Sequence, residues 1–136
     1  MIRKTIYLVS FTLLFLSACG NNGNDTAAIP DGPIEQQVQF LVDQDRYEEA
    51  LDILREADQD DRRVAVMTRD THLLYANWLM HSADSIHMTE RMPLALQHFR
   101  RVLELDSENQ IALASIEQIE SIYQQMGREI PQGVAE

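Results

Sequence analysis

The fold of this chain is decided by a spacing that occurs twice, in YEEALDIL at positions 47–54 and in PLALQHF at positions 93–99. In each segment an alanine is followed four residues later by a large apolar side chain: Ala50 by Leu54, and Ala95 by Phe99. Residues four apart lie on the same face of an α-helix. If each segment is a helix, its alanine and its large apolar residue therefore lie on one face.

Apolar residues recur at helical spacing through five segments of the chain, and no segment shows the alternation typical of a β-strand. The five stripes are Ile34, Val38, Leu41 and Val42; Leu51, Leu54 and Ala57; Val64, Met67, Thr71, Leu74, Tyr75, Trp78 and Leu79; Leu94, Ala95, Phe99, Val102 and Leu103; and Ile111, Ser115, Ile116, Ile119, Ile122, Tyr123 and Met126. The sequence predicts an all-α domain over residues 34–128.

Several details of these helices can also be predicted. Proline is tolerated in the first turn of a helix, so Met92 and Pro93 are expected to open the fourth helix after a connection over residues 82–91. Gly127 is expected to cap the fifth helix. In the third helix, Leu74, Trp78 and Leu79 are assigned to the core, because a small domain needs most of its large apolar groups there.

The two alanine-containing segments look like the second helix of a tetratricopeptide repeat. LELDSEN at positions 103–109 is similar to the closing turn of that repeat, with Ser107 where proline usually stands, and YQQMGR at 123–128 resembles the end of its first helix. Ala50 and Ala95 are 45 positions apart rather than the 34 of the repeat. The resemblance implies antiparallel helix hairpins in a short tetratricopeptide-like solenoid of about two and a half repeats, with the fifth helix as a solvating cap. A plain five-helix bundle is the alternative.

The first eighteen residues have the layout of a secretory signal: positive Arg3 and Lys4, the apolar run IYLVSFTLLFL at 6–16, and small residues before Cys19. Polar residues from Asn21 onward keep the run below the about 20 apolar residues of a membrane-crossing helix, so an anchor of that kind is the weaker alternative.

LSACG at positions 16–20 looks like the lipobox of bacterial lipoproteins. In that family a signal peptidase cuts before the cysteine, whose sulfur carries a diacylglyceryl group and whose amine is acylated. The resemblance implies a signal peptide over 1–18, lipidation with palmitate at Cys19, and membrane attachment through this lipid. Gly20, rather than Asp, resembles the pattern that sorts lipoproteins to the outer membrane, facing the periplasm. The alternative is a leftover thiol in an ordinary signal peptide.

Residues 19–33 are predicted to be the lipidated cysteine and a flexible tether rich in Gly, Asn and Pro, and residues 129–136 a tail that is either disordered or a docking peptide. Arg3 and Lys4 are two of the 11 basic residues, so residues 19–136 carry 9 basic against 22 acidic side chains, a formal net charge of −13. Because non-specific nucleic-acid binding depends on cationic side chains, a nucleic-acid partner is not expected.

The sequence offers little support for an enzyme or a cofactor. It contains neither a Gly-x-Ser-x-Gly motif nor a glycine-rich phosphate loop. His81, Asp84 and His87, with His72 and His98 nearby, are the candidate metal ligands, but on a continuous helix His87 lies about 240° around from His81. No catalytic residue, metal or cofactor is therefore predicted.

The third helix carries the best candidate binding surface. Aromatic side chains act as rigid anchors in protein interfaces, so Arg69, His72, Tyr75, Asn77 and Trp78 are predicted to line a concave groove. Together these features predict a lipid-anchored adaptor or assembly subunit that binds a protein or peptide of the bacterial cell envelope. The alternative is an envelope lipoprotein that binds a small ligand or a metal.

Overall fold

The computed structural model describes residues 27–132, which form five α-helices and no strand. The helices are α1 Ile34–Val42, α2 Tyr47–Glu56, α3 Arg62–His81, α4 Met88–Leu105 and α5 Gln110–Gln125. Each helix makes its main contacts with the helices next to it in the chain, an arrangement compatible with helix hairpins. The predicted all-α class is confirmed for this part of the chain, whereas the signal sequence and Cys19 lie outside the described residues.

Both alanines of the repeated spacing are completely buried, as are their large partners. Ala50, Ala95 and Phe99 are 0% exposed and Leu54 is 1% exposed. Two apolar clusters result. The smaller one joins α1, α2 and the start of α3, and its buried members are Val38, Leu41, Ala50, Leu54 and Val64. The larger one runs from α2 to α5 and contains the fully buried Phe99, Leu79, Leu96, Val102 and Ile119. The alanines of both segments and their large partners therefore belong to the core of the domain.

The core of α3 differs from the prediction at one residue. Leu79 is buried and Trp78 packs partly buried against the larger cluster, but Leu74 is 47% exposed. The prediction for Leu74 was wrong because this side chain borders an open cavity between α3 and α1, which Val38 and Val42 also line. α1 packs mainly on α2 and leaves this face of α3 open.

Fewer side chains of the last helix are buried than its apolar pattern predicts. The buried residues of α5 are Ala112, Ile119 and Tyr123, whereas Ile111 and Met126 are 56% and 47% exposed. Because its main helix contact is with α4, only one face of α5 is covered. Its outer surface keeps exposed apolar side chains and is not the wholly polar surface of a solvating cap.

The fourth helix begins earlier than predicted, at Met88, so Pro93 is its sixth residue rather than part of its start. The Thr89 N–H donates to Nδ1 of His87, 3.3 Å away, which caps the helix. Pro93 has no N–H to donate to the carbonyl of Thr89, but Thr89 is exposed and its carbonyl can bond water. The connection between α3 and α4 therefore shortens to residues 82–87. The sequence misses this start because histidine is not among the preferred N-cap residues.

The predicted glycine cap of α5 is confirmed. Gly127 has φ +62°, in the left-handed region. Its N–H donates to the carbonyl of Gln124, and the N–H of Arg128 donates to that of Tyr123, both at 3.0 Å. These two bonds form a Schellman motif, which satisfies carbonyls that the helix end leaves open.

Replacing Gly127 by alanine is expected to lower the free energy of unfolding by about 1 kcal/mol, because a Cβ disfavours positive φ. An added Cβ would meet no heavy atom within 4 Å, so the loss comes from the backbone alone. Urea denaturation followed by circular dichroism measures it. Gly127→Asn should lose less, since asparagine tolerates this conformation; a Gly127→Ala protein as stable as the wild type would contradict the cap.

Candidate functional site

An open groove runs along α2 and is lined on its other sides by α3 and α4; we call it the α2–α4 groove. It consists of three neighbouring cavities of about 370, 530 and 290 Å³. Leu51, Arg55 and His72 line both the first and the second cavity. Glu48 and Tyr75 line both the second and the third. The cavities are therefore adjacent, and each shares part of its wall with the next.

The structure brings three of the five predicted groove residues together. His72, Tyr75 and Trp78 line the groove, and their spacing of three residues keeps them on neighbouring positions of one helix face. Arg69 and Asn77 lie elsewhere and do not line it. The Arg69 guanidinium lies 2.7 Å from the Asp70 carboxylate, and Asn77 donates to the carbonyl of Leu73 at 2.8 Å. These two side chains are therefore not part of the α2–α4 groove, and a binding role for them stays a prediction.

One end of the groove holds a cluster of three aromatic rings. The rings of Tyr47 and Tyr75 stack with centroids 5.1 Å apart and planes 11° apart. Trp78 packs against both at 5.7 and 6.0 Å with tilted geometry. The two tyrosines are 8% and 6% exposed, whereas Trp78 is only partly buried and faces the cavity. Tyr47 is not among the predicted groove residues, although it begins α2 four residues before the buried Leu51.

Each tyrosine hydroxyl of this cluster donates to a carboxylate. Tyr75 donates to Oε1 of Glu48 at 2.9 Å, and Tyr47 donates to Oδ1 of Asp45 at 3.2 Å. Burial, together with the hydrogen bond to Glu48 and its charge, raises the pKa of Tyr75 well above the ordinary value of 10.0. Burial and the neighbouring Asp45 raise the pKa of Tyr47 in the same direction. Both hydroxyls therefore remain donors.

Because the pKa of Tyr75 is raised, the free energy of unfolding should vary with pH in the alkaline range. Above pH 10, tyrosines of the unfolded chain lose protons that folded Tyr75 still holds, so the free energy of unfolding should fall as pH rises from 10. Urea denaturation at several pH values measures this slope. Tyr75→Phe should make this slope less steep. An equal slope in the wild type and the variant would contradict the assignment of the pH dependence to Tyr75.

Three arginines beside the groove are each paired within their own segment. Arg46 makes two bonds of 2.7 Å to the Glu49 carboxylate. The other two pairs are Arg55 with Asp52 at 2.6 Å and Arg101 with Glu104 at 2.8 Å. Exposed pairs of this kind add little stability. Their effect is to balance most of the charge along the groove.

Two histidines link α3 and α4 inside the groove. The Nδ1 atoms of His72 and His98 are 2.9 Å apart, so one ring donates to the other, and the His98 ring lies 4.5 Å from that of Tyr75. The sequence did not predict this contact between His72 and His98. His81 and His87 are exposed at the α3–α4 connection. Within residues 27–132 no three metal-ligating side chains converge on one point, and no helix is both long and apolar enough to span a bilayer.

Comparison of the chain with protein-family models, with curated proteins and with solved structures finds no match. Function must therefore be inferred from the groove itself. Its aromatic rings, hydroxyl donors and paired charges are the side chains that protein interfaces use for anchoring and orientation.

Proposed function

We propose that the protein is a membrane-anchored lipoprotein of the bacterial cell envelope whose helical domain is an adaptor or assembly subunit. The domain binds an extended segment of a partner protein in the α2–α4 groove. The observation that carries the proposal is the groove, with three adjacent cavities and an aromatic cluster at one end. The ten residues of α2 are about 15 Å long, which matches four or five residues of extended chain.

The membrane part of the proposal rests on the lipobox resemblance at Cys19. A lipid anchor on Cys19 restricts the partner to the neighbourhood of the same membrane. The restriction is tighter than the predicted tether of residues 19–33 implies, because the Arg46 guanidinium donates to the carbonyl of Ala27 at 2.7 Å. Only seven residues separate Cys19 from Ala27, and at full extension they span at most about 28 Å.

Site-specific photocrosslinking in cells tests the adaptor function. A photoreactive residue replaces Asp52, an exposed residue that lines the widest cavity, and in a second strain it replaces Gln118, exposed on α5 away from the groove. The expected result is a partner captured from membranes through position 52 but not through position 118. Equal capture at both positions, or no capture at position 52, would overturn the proposal.

A second candidate is metal binding by the same lipoprotein. The observation that favours it is the convergence of the His72 and His98 Nδ1 atoms, since zinc and copper bind neutral imidazole nitrogens. Calorimetric titration with each metal separates the candidates. Tight binding that His98→Gln abolishes favours a metal site in the groove, and binding that His81→Ala or His87→Ala abolishes places it at the α3–α4 connection.

A further inference from the structure

The aromatic end of the groove carries surplus negative charge. We define this end by Asp45, Tyr47, Glu48, Tyr75 and Trp78, which line one cavity together with Arg46, Glu49 and Ile86. Three carboxylates and one guanidinium therefore face the cavity, a net of two negative charges. The guanidinium is already engaged by the Glu49 carboxylate and by a backbone carbonyl. The other two carboxylates accept from neutral tyrosine hydroxyls and keep their charge.

The same end offers an aromatic surface to a cation. A guanidinium or ammonium group is attracted to the face of an aromatic ring, most strongly to tryptophan, and the attraction grows when the site excludes water. Trp78 is the partly exposed member of the cluster and lines the cavity beside Glu48. A cation at Trp78 would therefore lie over a ring and next to a carboxylate.

The volume of this cavity limits what can enter it. At about 290 Å³ it lies just below the range of pockets that hold drug-sized ligands, about 300–1,000 Å³. A cavity of this size suits a single long side chain.

We propose that the aromatic end of the groove binds an arginine or lysine side chain of the partner segment, with the cation over Trp78 and paired with Glu48 and Asp45. This inference rests on the proposed adaptor function and adds the chemical class of the partner, a segment with a basic residue near one end of its bound stretch. Along the rest of the groove, Arg55 and Arg101 are each paired with a carboxylate. The surplus negative charge that would attract a cation therefore lies at the aromatic end.

Trp78 fluorescence tests the proposal directly, because Trp78 is the only tryptophan of the full chain. The purified full-length protein in detergent is titrated with a five-residue alanine peptide that carries a central arginine, and with the same peptide carrying citrulline, which has a similar shape without the charge. The arginine peptide should change the fluorescence at a half-saturating concentration about tenfold lower than that of the citrulline peptide.

The variant Glu48→Gln keeps an oxygen that can accept from the Tyr75 hydroxyl but removes the charge. It should raise the half-saturating concentration of the arginine peptide about tenfold. Glu56→Gln is the matched control, because Glu56 is exposed on the same helix and does not line the cavity. Circular dichroism checks that both variants fold.

Equal responses to the two peptides, or equal effects of Glu48→Gln and Glu56→Gln, would overturn the cation site. If position 52 still captures a partner in that case, the adaptor function stands without it. If arginine selectivity is found but position 52 captures no partner, the adaptor function fails and the cation site remains.

Discussion

Replacing Cys19 by serine is expected to abolish lipid attachment and to leave the signal sequence uncleaved. The family that the lipobox resembles joins its diacylglyceryl group through sulfur, and a serine hydroxyl is a far weaker nucleophile near neutral pH than a thiol. Intact-mass spectrometry and incorporation of labelled palmitate measure the effect. The wild-type chain should begin at Cys19 and carry acyl chains, whereas Cys19→Ser should incorporate no label.

Asn22→Ser is the control for this experiment, because it introduces the same residue type three positions away and keeps the thiol. It should be labelled like the wild type. A wild-type protein with an unmodified Cys19, or one that begins at another residue, would refute the anchor and with it the membrane part of the proposed function.

The second large effect is expected from Phe99→Ala, which should lower the free energy of unfolding by about 3–5 kcal/mol. Phe99 is 0% exposed and is the largest of the fully buried side chains. Its removal leaves a cavity in the cluster that joins α2 to α5. Domains are stable by only about 5–15 kcal/mol, so a large share of the stability is lost. Urea denaturation gives the value.

Leu105→Ala is the matched control on the same helix, since Leu105 ends α4 and is 49% exposed. It should change the free energy of unfolding by no more than about 0.5 kcal/mol. If the two variants lose the same free energy of unfolding, the burial of Phe99 does not stabilise the fold as the structure indicates.

The proposed cation site lies at the end of the domain where the described part of the chain begins. Arg46 lines the cavity beside Trp78 and also bonds the carbonyl of Ala27, the first described residue. Under the proposed function, the basic end of the partner segment is therefore the end nearer to the membrane.

The sequence predicted the helices well where one helix face decides the outcome. Ala50 and Ala95 are buried as their spacing requires, and Gly127 caps α5 because only a residue without Cβ accepts its φ easily. Predictions failed where the burial of a side chain depends on how a neighbouring helix is placed. Leu74 belongs to an apolar stripe but is exposed, since α1 packs mainly on α2 and leaves a cavity beside Leu74.

The candidate site shows the same division. His72, Tyr75 and Trp78 could be chosen from α3 alone, because aromatic residues three apart share a face. The residues that contact them from α2 could not be chosen in this way. Tyr47 and Glu48 belong to a segment that the sequence predicts to be helical, and nothing in the sequence shows that Glu48 accepts from Tyr75, 27 positions away.

The sequence by itself therefore determined the all-α class, the five helical segments, the closely packed alanines and the acidic charge, because these depend on periodicity and composition. Only the tertiary structure decided which face of α3 borders the groove, which carboxylates meet the tyrosines and where α4 begins. The physical reason is that these features depend on the angles and lengths of neighbouring helices, which bring together residues far apart in the chain.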